Sequence, residues 1–307
     1  MDVDIEVEEQ LCVRCGKCVK WCPEDAILVE DLPIIDFEKC VHCGECMNVC
    51  PKGVFDVAGP RPNEAIYEDF SEVYSSGKYP EFSRAMADLF TELMEDCGVD
   101  GREILDLACG EGTFAVEISE KGYDVVGVDI SSRQITFARE KDSGAEFMVD
   151  DIRELSFSEE FDAVTCWYDS LNYILDREEL KQVFEGVHSA LREGGIFVFD
   201  VNTVHVMEEV WNEQTMVKED SSDRFDMVEQ NYDEEERVTS LKLTSFLRED
   251  SSWRKIEEVH KERAYSFEEL REIFDEVGFE ESASWKDIRE RKEIDEETER
   301  AWFVLAK

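Results

Sequence analysis

Long apolar runs are missing from this chain: nowhere do some 18 hydrophobic residues follow one another, so no segment is expected to span a membrane. Basic residues are scarce, 33 Lys and Arg against 77 Asp and Glu, for a formal net charge of -44. A field of that sign repels phosphates, and nucleic acid is not expected as a partner. The acidic excess is spread along the chain and reads as solubility, suited to a salt-rich cytoplasm where counter-ions screen self-repulsion. No targeting segment is recognisable, which with the abundant thiols points to the cytoplasm and disfavours disulfides. The Cys-x-x-x-Cys-x-x-Cys order of radical-generating clusters is also absent, since Cys18-x-x-x-Cys22 lacks a cysteine at the next required step.

What the chain does have is two copies of one cysteine phrase, Cys12-x-x-Cys15-x-x-Cys18-x-x-x-Cys22-Pro23 and Cys40-x-x-Cys43-x-x-Cys46-x-x-x-Cys50-Pro51, which hold eight of its eleven cysteines. Structural zinc accepts paired Cys-x-x-Cys units but has no use for a third cysteine at the same interval followed by Cys-Pro. The phrase is similar to the bacterial ferredoxin run, in which the fourth cysteine serves the other cluster. The resemblance implies that Cys12, Cys15, Cys18 and Cys50 hold one 4Fe-4S cluster and that Cys40, Cys43, Cys46 and Cys22 hold the other. Gly16 and Gly44 supply backbone freedom beside the thiolates. Residues 1–58 are thus expected to form a small α+β ferredoxin-like domain that carries electrons, and 59–64, rich in Gly and Pro, the linker to a domain over 65–307.

Two helices are expected between Glu64 and Asp96, broken near Gly77 and Pro80. From Gly101 the rhythm changes to short apolar runs (Glu103–Leu107, Asp124–Asp129, Glu146–Val149, Ala163–Cys166, Ile196–Val201) separated by helical stretches, the pattern of a parallel sheet flanked by helices. The first run opens into Asp106-Leu107-Ala108-Cys109-Gly110-Glu111-Gly112-Thr113, a turn that exposes backbone amides to a nucleotide-like cofactor. Asp129, about twenty residues on, can accept both ribose hydroxyls. At this point NAD and S-adenosylmethionine both remain open. The acid directly before the glycines, the lack of a third glycine and the acidic element Asp150-Asp151-Ile152 favour S-adenosylmethionine.

This set, with Phe161–Cys166 running into Trp167–Tyr173 and Gly194-Gly195 before the fifth run, resembles the small-molecule branch of class I S-adenosylmethionine-dependent methyltransferases. The resemblance covers about Ala65 to Lys307. It implies an α/β fold, a Rossmann-like seven-stranded sheet whose last strand, Ala301–Ala306, runs antiparallel. It also implies cofactor contacts from Asp106, Ala108, Gly110, Gly112, Asp129, Ile130, Asp151, Ile152 and the backbone of Cys166, with Tyr67 and Tyr74 as an aromatic cover. An insertion over 205–265, with strands expected at Phe225–Tyr232, Val238–Phe246 and Ile256–Tyr265, is expected to add an antiparallel sheet that walls the acceptor pocket.

Methyl transfer from a sulfonium needs alignment more than a catalytic side chain. If the acceptor must lose a proton, Tyr168, Asp169, Tyr173 and His260 are the candidate bases; His188 is expected outside the site. Cys97, Cys109 and Cys166 raise the idea of a thiophilic metalloid acceptor, but buried cysteine is more often a small hydrophobe. Methylation consumes no electrons, so the acceptor is expected to be a redox-active or reductively activated small molecule, with the ferredoxin part delivering electrons to it or to a redox partner protein. An NAD-linked iron-sulfur oxidoreductase and a non-catalytic electron-transfer protein are the alternatives.

Overall fold

The structure, a computed structural model, describes residues 4–7, 12, 14–24, 26–29, 33–36, 39–40, 46, 50, 54–58, 66–67, 70–77, 79–141 and 143–307. Cys43, Gly44 and the expected linker 59–64 lie outside them. The chain separates into two units, Met1–Pro62 and Asn63–Lys307. In the first, β1 (Asp4–Val7) is followed by α1 (Lys17–Trp21), the hairpin of β2 (Ile27–Val29) and β3 (Pro33–Ile35), and β4 (Phe55–Ala58), which pairs antiparallel with β1. Gly16 begins α1 at φ 69°, a conformation that costs glycine little. The core combines Ile27, Ile35 and Val54 with Cys18 and Cys46.

The second unit opens with α2 (Ser71–Ser76) and α3 (Tyr79–Asp96), then alternates β5 (Glu103–Leu107), α4 (Thr113–Glu120), β6 (Asp124–Asp129), α5 (Ser132–Arg139), β7 (Glu146–Val149), β8 (Phe161–Cys166), α6 (Arg177–Ala190) and β9 (Leu191–Asn202). Four strands follow, β10 (Gln214–Asp220), β11 (Arg224–Asp233), β12 (Val238–Glu249) and β13 (Ser252–Arg263), before α7 (Phe267–Val277), β14 (Glu280–Trp285) and β15 (Arg300–Ala306). The main sheet has the order β14-β15-β9-β8-β5-β6-β7, with β15 antiparallel to both neighbours. The sequence direction reverses at β5, which has β6 on one side and β8 on the other. Open α/β sheets bind ligands at such a switch point, outside the carboxyl ends of the strands.

Near-continuous apolar runs explain why β5, β8 and β9 are central: a parallel strand covered by helices on both faces has no wet side. One face buries Leu105, Val164, Phe197 and Phe199 under α6 and α7; the other buries Ile104, Ala163 and Val198 under α3 and α4. The Ser266 hydroxyl and Glu269 form a reciprocal capping box that starts α7. The added sheet, β10-β11-β12-β13, is antiparallel throughout and one strand larger than expected. Its extra member β10 has a largely exposed polar sequence, so no alternation marks it.

Candidate functional site

The chain leaves β5 through left-handed backbone at Ala108 (φ 50°), Gly110 (φ 55°) and Gly112 (φ 78°). The glycines have different reasons. A Cβ on Gly112 would sit 2.7 Å from the Phe147 ring and 2.9 Å from the Ala138 methyl, so Gly112 lets α4 pack closely. A Cβ on Gly110 would meet nothing nearer than Tyr74 at 3.9 Å. Asp129, at the end of β6, accepts the Gly110 N–H at 2.8 Å and the Ser131 N–H at 2.9 Å, fixing the turn against the next helix. Burial lifts its carboxyl to about 6 against those two donors. Asp106 accepts the Thr165 hydroxyl at 2.9 Å, while its second oxygen is buried and has no hydrogen-bond partner among the described residues. Burial drives that carboxyl to about 8, with the Asp129 charge adding to the rise.

Ile130 follows Asp129 directly and Ile152 sits partly buried against the core. Asp151 caps the short 3-10 turn Ile152–Glu154 and is held by Arg153, whose guanidinium also reaches Glu179. Cys166 ends β8 fully buried. Cys109 and Cys166 pack into cores on opposite faces of the sheet and Cys97 is exposed beyond α3, so no two of these three thiols come together for a metalloid. His188 lies on α6 against Phe279, away from the glycine turn.

Tyr67 and Tyr74 come together over the turn, their rings 5.3 Å apart and edge to face. Tyr67, itself at φ 60°, accepts the Ser131 hydroxyl on its carbonyl at 3.3 Å. From its phenol a hydrogen-bonded chain runs inward: Tyr67 Oη to Tyr173 Oη at 3.2 Å, Tyr173 Oη to His260 Nδ1 at 3.0 Å, and His260 Nε2 to Glu258 Oε2 at 2.9 Å. Burial works to raise the Glu258 carboxyl, but His260 and the N–H groups of Phe70 and Tyr67 overcome it and hold Glu258 below the ordinary range. A carboxylate there accepts from Nε2–H, which leaves Nδ1 bare to accept from Tyr173. His260 is completely buried, and burial first, then Tyr67 and nearby acids, keeps the Tyr173 phenol protonated far beyond its usual range.

Tyr168 and Asp169 carry left-handed backbone where β8 ends. Such strain persists only where surroundings impose it, and it gathers at functional sites. Asp169 is no free base: Arg300 donates to its Oδ1 at 2.8 Å and Asn202 to its Oδ2 at 2.7 Å. Arg300 also pairs with Asp200, whose oxygens accept the N–H groups of Tyr168 and Asp169. The guanidinium is stacked against Phe82 and Tyr168, and all three line a cavity of about 590 Å³ together with Trp302. Glu258, Glu262, Asn202, Asp200 and Arg300 were not singled out by the sequence, because single acids and amides do not stand out in so acidic a chain. The alternation Glu258, His260, Glu262 was the available signal, since it places all three on one face of a strand.

In the first unit Cys12, Cys18, Cys22, Cys40, Cys46 and Cys50 pack against one small core. The two copies are matched in detail: Ala26 N–H donates to Cys22 Sγ at 3.2 Å and Val54 N–H to Cys50 Sγ at 3.4 Å. Burial raises the Cys18 thiol, two backbone N–H groups oppose this, and Cys50 and Cys15 add to the rise. Cys15 and Cys50 therefore lie near enough for their charges to act on Cys18. Backbone N–H donors to the sulfurs are one of the means by which a protein tunes an iron-sulfur centre.

The sheet order, the antiparallel last strand and the glycine turn at the switch point define an enzyme of the Rossmann-like methyltransferase class. The sequence profile of a methyltransferase domain matches residues 104–195 and that of a 4Fe-4S dicluster domain matches 11–54. The methyltransferase-family protein YqeM of Bacillus subtilis (strain 168) is 30% identical over 219 residues, 70% of this chain and 86% of its own. The dTDP-3-amino-3,4,6-trideoxy-alpha-D-glucopyranose N,N-dimethyltransferase of Streptomyces venezuelae is 24% identical over 137 residues, 45% of this chain and 57% of its own. A solved S-adenosylmethionine-dependent methyltransferase from Clostridium acetobutylicum ATCC 824 superposes with a TM-score of 0.69 at 25% identity, over 78% of this chain and 98% of that one. The chain belongs to the S-adenosylmethionine-dependent methyltransferases and carries a 4Fe-4S dicluster domain at its N-terminal end. Among the described residues, no helix is long and apolar enough to cross a membrane.

Proposed function

We propose that this enzyme methylates a small molecule enclosed between the glycine turn and the added sheet over 205–265, with the Tyr67–Tyr173–His260–Glu258 chain as its proton acceptor. That chain carries the proposal, because it joins the added sheet to the segment lying over the turn. Three features suit the cofactor: a carboxylate oxygen on Asp106 without a partner among the described residues, open space at Gly110 with Tyr74 beyond it, and the aromatic pair Tyr67 and Tyr74. Asp106, Ala108 and Gly110 would hold the methionine end. Asp129 would take the ribose on the lone pairs its two backbone donors leave free, and Ile130, Asp151, Ile152 and Cys166 would frame the base. Gly112 is assigned to packing.

When bound, S-adenosylmethionine supplies an activated methyl group. The protein orients the acceptor, keeps water out and receives the acceptor's proton at His260 Nδ1 by way of Tyr173. A small-molecule acceptor is supported by the cavity beside Tyr168, within the size of such sites, and by relatives that include the sugar N,N-dimethyltransferase.

In the iron-sulfur part, Cys12, Cys15, Cys18 and Cys50 would bind one cluster and Cys40, Cys43, Cys46 and Cys22 the other, serving to deliver electrons to the acceptor or to a partner protein. Joining the two parts in one chain raises the local concentration of each for the other. The test is methyl transfer by the full chain with clusters oxidised and then reduced. Turnover only on a reduced acceptor supports the redox role; equal turnover in both states contradicts it.

A further inference from the structure

The inner face of β13 carries Glu258, His260 and Glu262 in succession, roughly 7 Å apart for each pair of residues along the strand. Across the ladder Thr239 stands opposite Glu262 and Leu241 opposite His260, while Gln230 of β11 stands opposite Leu241. Among the described residues, Gln230, 6% exposed, and Thr239, fully buried, have Oε1 and Oγ1 without hydrogen-bond partners. Beside them the Asn202 amide donates to Asp169 at 2.7 Å and to Glu262 at 3.1 Å, so two buried carboxyl groups share one amide. Burial pushes both upward: Asp169 reaches about 6, with Arg300 opposing and Asp200 adding to the rise, and the Asp169 charge adds to the rise at Glu262. Arg300 faces three carboxyl groups here, Asp169, Asp200 and Glu262, and Lys218 acts on Asp169 only at longer range.

Buried acceptors without donors are costly, and a ligand that brings hydrogens and positive charge relieves that cost. A hydroxyl offers one hydrogen and no charge; an ammonium offers three hydrogens and one charge. We infer that the methyl acceptor is an amine, which enters as its ammonium form with one hydrogen on Tyr173 Oη, one on Glu262 and one on Thr239 Oγ1, the carboxylate of Asp169 and the carbonyl oxygen of Gln230 adding negative potential around it. This rests on the small-molecule methylation proposed above. The ammonium gives one proton through Tyr173 to His260, which frees the nitrogen lone pair. That pair forms the N–C bond as the donor's C–S bond breaks; S-adenosylhomocysteine departs as a neutral thioether, the product keeps the positive charge, and the proton on His260 returns through Tyr173 to solvent once the product has left.

The test incubates the full chain with S-adenosylmethionine carrying a 13C methyl group and a small-molecule extract of the source cells, and reads the new methyl resonance. An N-methyl product is expected, with KM for the purified acceptor raised at least tenfold by Glu262→Gln while S-adenosylmethionine affinity by calorimetry stays unchanged. Thr239→Val, nearly isosteric, gives the same comparison should the first variant not fold, and a several-fold rise in KM is expected. An O-, S- or C-methyl product, or an unchanged KM in both variants, overturns the amine and leaves small-molecule methylation standing. Cofactor binding without any labelled small molecule overturns both.

Discussion

Tyr173 Oη lies 3.0 Å from Nδ1 of His260, a histidine with no exposed surface, and Glu258 holds the opposite ring nitrogen at 2.9 Å. The arrangement leaves one nitrogen able to receive a proton and gives it a single route of delivery. Removing a general base typically costs 10²–10⁴-fold in rate. His260→Asn is therefore expected to lower kcat by roughly 10²-fold or more, and Tyr173→Phe by a similar factor. Steady-state kinetics at saturating S-adenosylmethionine checks this; unchanged kcat with raised KM assigns both residues to binding instead.

Asp106 offers a stability test. Its folded-state carboxyl sits at about 8, above its unfolded value near 3.8, so the folded chain holds the extra proton and stability falls as pH rises between those values. Asp106→Asn mimics the protonated form and escapes that loss. The melting temperature of Asp106→Asn, relative to the parent chain, is expected to climb from pH 5 to pH 8 and then level off. A difference independent of pH contradicts the account of Asp106.

The cysteine sets predict a metal count. Cys18→Ser is expected to lose or convert the cluster assigned to Cys12, Cys15, Cys18 and Cys50, and Cys46→Ser the other, each lowering iron from about eight towards about four atoms per chain. Iron and sulfide analysis after anaerobic purification reads the result. Retention of about eight iron atoms in either variant contradicts the assignment.

How much of this was legible in the sequence follows from periodicity and spacing. Strands β5, β6 and β7 match the expected runs residue for residue, because apolar runs between helical stretches have few other uses in a chain of this size. The cysteine phrases and the glycine turn were equally plain, since metal ligation and tight turns restrict both residue type and interval. Strand β10 was not legible, its sequence being polar and exposed along most of its length. The role of Asp169 also changed: as an isolated acid it is a candidate base, whereas Arg300, more than a hundred residues later, makes it half of an ion pair. Glu258 and Glu262 alternate with His260 in the sequence, but their roles became legible only with their partners, Tyr67, Phe70 and His260 for the first and Asn202 for the second.

The most direct measurement is calorimetric titration of S-adenosylmethionine into the full chain and into Asp129→Ala, with NAD titrated alongside. The account predicts one-to-one binding to the parent chain, loss of that binding in Asp129→Ala with the folded circular-dichroism spectrum retained, and no heat from NAD. Equal affinity in both chains, or binding of NAD in place of S-adenosylmethionine, would contradict it.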